Sequence, residues 1–341
     1  MKRRHINIPV FVPHLGCPND CVFCNQKKIT GCDKYDFDYA RAQIKTQLVT
    51  ADPQTDDIQI AFFGGSFTGI ERNSMISMLS IAKEFIDAGL VSSVRLSTRP
   101  DYIDEEILDI LKTYNVTDIE LGIQSMDDSV LKTSERGHSA SDSFKAANLI
   151  TDNGFNFVGQ MMVGLPGSDI EKELFTAKTI CEMGACAVRI YPTLVFSDTK
   201  LARMYENGQY SPLSIDEAAF RCAKILKVFD DFHIPVIRLG LCETDNLRTE
   251  GSVIAGPYHP AIGELSENKY YLNEIEKQIN CRYSDTESKN LSVFVSAGCI
   301  SKAIGQKKSN KLYLQNNYSF KSIKFTEDQC LKGREIKITV E

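Results

Sequence analysis

The segment Cys17-Pro-Asn-Asp-Cys21-Val-Phe-Cys24 places three thiols within eight residues, directly after the short apolar run Ile8-Pro-Val-Phe-Val-Pro13. Close thiolates hold soft metals, and two centres fit these residue types. A structural zinc site closes with four protein ligands, the fourth supplied by Cys32 or His14; three thiolates on a four-iron cluster leave one iron open to another ligand. An open metal position implies chemistry. Val22 and Phe23 set apolar bulk beside such a cluster, limiting solvent and tuning its potential.

The elements that must position these thiols are legible as alternating patterns. Short β-branched or apolar runs recur at residues 58–63, 94–97, 118–123, 155–158, 187–191 and 236–239. Stretches with apolar residues at helical spacing lie between them, at 73–88, 105–114, 141–151, 170–183 and 215–229. This rhythm predicts parallel strands joined by crossover helices, about six or seven units counting the strand ahead of Cys17, in the size range of a partial or complete βα barrel. Active groups in such barrels sit on loops that follow the strands. Cys17, Gly64, Ser97, Gln124, Gly164 and Tyr191 all fall at or just beyond the predicted strand ends, so they converge on one site. The rhythm changes near residue 240, and the chain divides into a core over 1–240 and a C-terminal extension over 241–341, an ordered α+β segment that faces substrate.

At 341 residues, 43% hydrophobic and 25% charged, the chain has the composition of a soluble globular protein, with no transmembrane segment and no targeting run behind Met1, and it is read as cytoplasmic. Eleven scattered cysteines argue for reduced thiols rather than a disulfide framework, and Cys181 and Cys186 are read as packed thiols. The net charge of −6 argues against a uniformly basic nucleic-acid surface. From Ser301 to Glu341, however, nine Lys/Arg stand against four Asp/Glu, so this end could face a polyanion.

The C-x3-C-x2-C spacing resembles the signature of the radical SAM superfamily. A narrower resemblance rests on Leu96-Ser-Thr-Arg-Pro-Asp-Tyr102, Glu120-Leu-Gly-Ile-Gln-Ser125 with Arg136-Gly-His138, Gln160-Met-Met-Val-Gly-Leu-Pro-Gly167 and the later Gly256-Pro-Tyr-His-Pro260. From about residue 8 to about residue 270 the chain is similar to the radical SAM part of the Elongator catalytic subunit family. The resemblance implies a partial (βα)6 TIM-like barrel, a 4Fe-4S cluster held by Cys17, Cys21 and Cys24, and S-adenosyl-L-methionine on the open iron. It also implies a one-electron reductant such as flavodoxin or ferredoxin.

By that resemblance Phe23 flanks the cluster, and Gly64, Gly65 and Ser66 contact the methionyl amine. Arg136 pairs with the methionyl carboxylate, which a guanidinium fork suits. Gln124 faces the adenosyl moiety, and Gly164 shapes the loop near the adenine. Ser97 stands where many relatives carry a glutamate that holds the ribose, and Gln160 where oxygen-independent coproporphyrinogen oxidases carry an aspartate; both retain hydrogen-bonding capacity without charge. His259 and the basic residues Lys307 and Lys308 are candidates to touch substrate. The implied reaction is cleavage of S-adenosylmethionine to a 5′-deoxyadenosyl radical for modification of tRNA or other RNA. Nothing after residue 270 shows a glycine-rich acetyl-coenzyme-A loop, so an acetyl-derived modification does not follow. Two alternatives are a small-molecule substrate, as in coproporphyrinogen oxidase relatives, and a non-enzymatic haem carrier, whose Tyr-Trp motif a chain without tryptophan cannot contain.

Overall fold

Six crossovers organise the chain, and the helices in them begin where a side chain caps the first turn. Asp36 accepts from the Tyr39 N–H, Asp104 from Ile107, Asp127 from Val130, Asp169 from Lys172, and Ser139 forms a reciprocal capping box with Asp142. Such caps satisfy N–H groups that the first turn leaves orphaned. The computed structural model describes residues 4–12, 17, 21–25, 36–241, 251–283 and 286–341.

The strands are β1 (Arg4–Val12), β2 (Asp56–Gly64), β3 (Ser93–Thr98), β4 (Val116–Gln124), β5 (Asn156–Val163), β6 (Ala187–Pro192), β7 (Val195–Phe196), β8 (Val236–Leu239), β9 (Val253–Ala255), β10 (Asn290–Val295), β11 (Ser322–Glu327) and β12 (Ile336–Val340). The helices are α1 (Phe37–Leu48), α2 (Arg72–Asp87), α3 (Glu105–Thr113), α4 (Asp128–Thr133), α5 (Ala140–Asp152), α6 (Ile170–Glu182), α7 (Lys200–Glu206), α8 (Ile215–Asp231), α9 (Ile262–Arg282), α10 (Ile300–Ile304) and α11 (Ser309–Tyr318).

Seven strands form one parallel sheet in the order β1-β2-β3-β4-β5-β6-β8, curled into a half-barrel whose edges are β1 and β8. The fold is therefore the partial TIM-like barrel expected, with six crossovers and a seventh strand closing the series. Alternation along each strand assigns the two faces. Ile8, Val10, Ile58, Ile60, Phe62, Val94, Leu96, Ile119, Leu121, Ile123, Met161, Val188 and Ile190 are buried in the main apolar core against the helices. Their neighbours Asn7, Ser97, Glu120, Gln124, Gln160 and Arg189 point to the concave side. The core thus lies between sheet and helices, and the inner face is free to be polar.

The extension is α+β. β9 pairs antiparallel with β7, and α9 packs along α8, so residues 251–282 lie directly on the barrel. Beyond them a three-stranded sheet runs β11-β10-β12, with β10 parallel to β11 and antiparallel to β12.

Candidate functional site at the strand ends

The loop after β1 carries the three cysteines, and backbone bonds hold its described part in place. The Val22 N–H donates to Ser134 O at 3.1 Å just past α4, the Leu201 N–H donates to Val22 O at 2.7 Å, and the Cys24 N–H closes a turn onto Cys21 O at 2.9 Å. Val22 and Phe23 pack against Val195, Leu201, Met204 and Tyr210, which anchors the apolar pair between the thiols. His14 and Cys32, the alternative fourth zinc ligands, lie outside the described residues.

Cys17, Cys21 and Cys24 line a cavity of about 610 Å³ at the C-terminal ends of the strands. That volume is within the range of small-molecule and cofactor sites. Burial pushes the Cys17 thiol up, and the Ser66 N–H and the charges of Arg136 and Arg99 offset only part of that rise. Arg136 Nη1 donates to Cys21 Sγ at 3.3 Å and Arg136 Nη2 to Gly122 O at 2.5 Å. The second bond requires glycine, because a Cβ at residue 122 would sit 2.8 Å from Nη2 and 3.1 Å from Gln124 Nε2.

The rest of the lining comes from the loops after β2, β3, β4 and β5. Gly64 adopts φ 120°, a conformation open to glycine, and leads into Gly65 and Ser66. Ser66 Oγ lies 2.7 Å from Thr98 Oγ1 and accepts from the Arg99 N–H at 3.2 Å, so the glycine turn is fixed to the end of β3. Gln124 is buried with φ 69°, at an irregularity of the β4–β5 register, and its Oε1 accepts from Gln160 Nε2 at 3.4 Å. Phe23, Gly64, Gly65, Ser66, Ser97, Gln124, Arg136 and Gln160 all line the same cavity as the cysteines.

Several lining residues had no role assigned from sequence. Arg99 is buried, clamped by Asp101 through Nε at 2.9 Å and Nη2 at 2.8 Å. Glu120 is 2% exposed on the inner face of β4 and pairs with Arg189 of β6 at 2.7 Å. Burial pushes its carboxyl up, opposed by Arg189, Arg95 and the Ser97 hydroxyl. Arg189 also stands 5.0 Å over the Phe63 ring. Period-two alternation was the available signal, since Glu120, Gly122 and Gln124 share one face of β4.

Other candidates lie elsewhere. Gly164 is absent from the cavity wall: its N–H donates to Glu173 Oε1 at 2.7 Å, its carbonyl accepts from Tyr210 OH at 2.7 Å, and a Cβ there would meet Leu213 at 2.8 Å. It is therefore a turn residue of the β5–α6 loop. His259 does not line the cavity either; its Nδ1 accepts from the Ala261 N–H at 3.0 Å ahead of α9. Lys307 and Lys308 are exposed on the extension between α10 and α11, away from the cavity wall. His138 is buried behind the wall, Nε2 3.3 Å from Ile123 O, and burial together with Arg136 and Arg99 lowers its pKa to about 3, so it is neutral. Cys181 is buried, whereas Cys186 is exposed, so only the first packs as expected.

Residues 11–179 match the model of the radical SAM superfamily, and residues 186–274 that of the Radical_SAM C-terminal domain. An uncharacterised protein of Methanocaldococcus jannaschii is 32% identical over 223 residues, covering 62% of this chain and 68% of that protein. The chain belongs to the radical SAM superfamily. As a radical SAM enzyme it is also similar to the tRNA uridine(34) acetyltransferase of Methanocaldococcus infernus, 32% identical over 52% of this chain and 37% of that protein. Elongator complex protein 3 of Schizosaccharomyces pombe is 26% identical over 69% of this chain and 52% of that protein. The chain thus spans about a third to a half of the length of these two relatives. The solved structure of archaeal Elp3 from Methanocaldococcus infernus with an N-terminal deletion shares the fold, with a TM-score of 0.61 and 23% identity over 83% of this chain and 66% of that one.

The site's chemistry fits the cluster and S-adenosylmethionine that the superfamily implies. Three soft donors line one cavity, although no three His, Cys, Asp or Glu side chains among the described residues are grouped closely enough to hold a metal ion, and two cations bear on the Cys17 thiol. Arg136 Nε and Arg99 Nη1 are buried with no hydrogen-bond partner among the described residues, which leaves donors available for an anionic ligand. No helix among the described residues is long and apolar enough to cross a membrane.

Proposed function

We propose that this radical SAM enzyme holds a 4Fe-4S cluster on Cys17, Cys21 and Cys24, binds S-adenosylmethionine in the 610 Å³ cavity, and acts on RNA, most specifically tRNA. One observation carries the reading: three thiols from one loop and Gly64, Gly65, Ser66, Ser97, Gln124, Arg136 and Gln160 from four other strand ends line a single cavity. When bound, the cluster and S-adenosylmethionine supply one-electron chemistry, the reductive release of a 5′-deoxyadenosyl radical. The protein's own part is positioning. Arg136, held by Gly122 O, presents its free Nε to the methionyl carboxylate. Gly64 to Ser66 offer backbone groups to the methionyl amine, and Ser97, Gln124 and Gln160 offer uncharged hydrogen-bond partners to the adenosyl half. Phe11, Phe23, Phe63, Leu194 and Phe196 on the cavity wall exclude solvent, and with it the dissolved thiols and reductants that would quench a carbon radical. Glu120 and Arg189, with Asn7 and Arg238, are polar wall residues left for substrate.

The tRNA reading is supported by the likeness to the tRNA uridine(34) acetyltransferase of Methanocaldococcus infernus and by the basic C-terminal end. We place the radical chemistry in residues 1–240 and substrate contact in residues 241–341, in a cytoplasmic enzyme served by flavodoxin or ferredoxin. The test is anaerobic reconstitution with iron, sulfide and reductant, followed by measurement of 5′-deoxyadenosine with and without bulk tRNA. Cleavage is expected from the wild type and from no preparation of Cys21→Ala. Product formed by that variant would refute the cysteine assignment, and a yield indifferent to tRNA would refute the substrate.

A further inference from the structure

We infer that the turn Gly305-Gln306-Lys307-Lys308 between α10 and α11 is a clamp for the sugar-phosphate backbone of single-stranded RNA. The inference rests on the RNA reading above and gives it a surface. Three observations converge on it.

The first is charge. Residues 288–326 hold seven lysines and no acidic residue, in a chain whose remaining positions carry 32 basic against 45 acidic residues. Elsewhere cations are commonly paired: Lys302 with Glu267 at 2.6 Å, Arg334 with Asp230 at 2.7 Å, Arg41 with Glu84 at 2.9 Å. Lys307, Lys308, Lys311, Lys321 and Lys324 have no acidic side chain within 4.0 Å among the described residues, and all but Lys311 are exposed. Of these, Lys307 and Lys308 are adjacent at one turn, and such a pair of unpaired ammonium groups on an acidic protein is a local attractor for a polyanion.

The second is topology. β10, α10, α11 and β11 form a β-α-α-β unit in which the two strands are parallel neighbours; β12 pairs antiparallel on the other side of β10, and α9 packs against β12. A loop opened by glycine between the two helices of such a unit is how KH modules grip about four nucleotides of single-stranded backbone.

The third is the shape of the turn. Gly305 has φ 82°, and a Cβ there would come within 2.9 Å of Asn310 N, so the position needs glycine. Asn310 fixes the turn from beneath by donating to Ala303 O at 3.1 Å and to Asn268 O at 2.7 Å. The fourth residue, Lys308, is not glycine, yet it holds φ 64°, the left-handed conformation glycine favours; Lys307 beside it has φ 53°. The turn thus keeps a two-glycine backbone shape while placing adjacent ammonium groups at its tip.

The experiment is fluorescence anisotropy of the full chain with a labelled 12-nucleotide single-stranded RNA of mixed sequence, and with the same sequence as duplex, across a salt series. Wild type is expected to prefer the single strand. The variant Lys307→Glu/Lys308→Glu, at exposed positions, is expected to bind it at least tenfold more weakly. Its slope of log K against log salt is expected to be shallower by about 1.4, two contacts at roughly 0.7 each. The charge-matched control Lys145→Glu/Lys178→Glu, on the barrel's outer helices, is expected to bind as wild type. Loop-variant affinity and slope equal to wild type, equal loss in the control, or no preference for the single strand would each overturn the clamp. In the first two outcomes the RNA reading would stand, because wild type still binds. Failure of wild type to bind any RNA would remove both, and capture of an acidic protein by the lysines instead would assign them a different partner. Cleavage of S-adenosylmethionine without RNA is expected to be unchanged in the loop variant.

Discussion

Replacing Gly122 by alanine adds one methyl group to the inner face of β4, and its consequence can be worked from contacts. The new Cβ would lie 2.8 Å from Arg136 Nη2, closer than carbon and nitrogen tolerate, and 3.1 Å from Gln124 Nε2, a tight contact that a small shift of the amide relieves. The backbone at 122 accepts a side chain, so the guanidinium must move. It then loses the 2.5 Å bond to Gly122 O and its hold on Cys21 Sγ at 3.3 Å. A hydrogen bond from a charged donor contributes about 1.5–3 kcal/mol net. At about 1.4 kcal/mol per decade, S-adenosylmethionine affinity is expected to fall about 10- to 150-fold. Because the displaced atom is the end of a long side chain, the melting temperature is expected to drop by only a few degrees. The assay is binding of S-adenosylmethionine to the anaerobically reconstituted protein, with 5′-deoxyadenosine yield read in parallel. In the Arg136→Ala background the Gly122→Ala change should add nothing, since the two remove one interaction. Wild-type affinity in Gly122→Ala, or full additivity with Arg136→Ala, would refute the reasoning that Gly122 serves by seating Arg136.

Glu120→Ala removes the carboxyl from a buried pair and leaves the Arg189 guanidinium facing an apolar methyl. Loss of about 3 kcal/mol by urea denaturation is expected, with much of it recovered in Glu120→Ala/Arg189→Met, where no charge remains to be solvated. His138 titrates near 3 when folded and near 6.5 when unfolded, so below pH 6.5 the unfolded chain binds the extra proton and folding weakens as pH falls toward 3. Between pH 7 and pH 5 the wild type is expected to lose about 2 kcal/mol that His138→Asn does not, measured as the difference in slope of unfolding free energy against pH. Gly164→Ala forces a left-handed φ of 80° on an alanine and drives its methyl into Leu213. It should destabilise the protein by about 2 kcal/mol while leaving affinity for S-adenosylmethionine nearly intact. A selective loss of that affinity would return Gly164 to the cofactor site.

Much of the fold was legible because its signals are local. The strands over 58–63, 94–97, 118–123, 187–191 and 236–239 were found at or within two residues of their observed bounds, since an apolar run and its flanking cap need no distant partner to be recognised. The run at 155–158 fell short by five residues because Gln160 interrupts the apolar pattern; that residue faces the cavity, where polarity serves the site. Arg99, Glu120 and Arg189 went without roles because charged residues in strands look like surface positions until the sheet curls and turns its inner face into a cavity wall.

The spacing of Cys17, Cys21 and Cys24, the βα alternation and the glycine turn at Gly64 and Gly65 are properties of short segments, and the sequence alone determined the superfamily from them. Parallel register and curvature decided the rest. They brought residues 66, 99, 124, 136 and 160 around the same thiols, turned Gly164 and His259 away, and set Glu120 against Arg189 across three strands. They also folded a lysine-rich tail into a β-α-α-β unit with Lys307 and Lys308 at its tip. Pairing across tens of residues depends on which faces the whole sheet buries, and no local window contains that information.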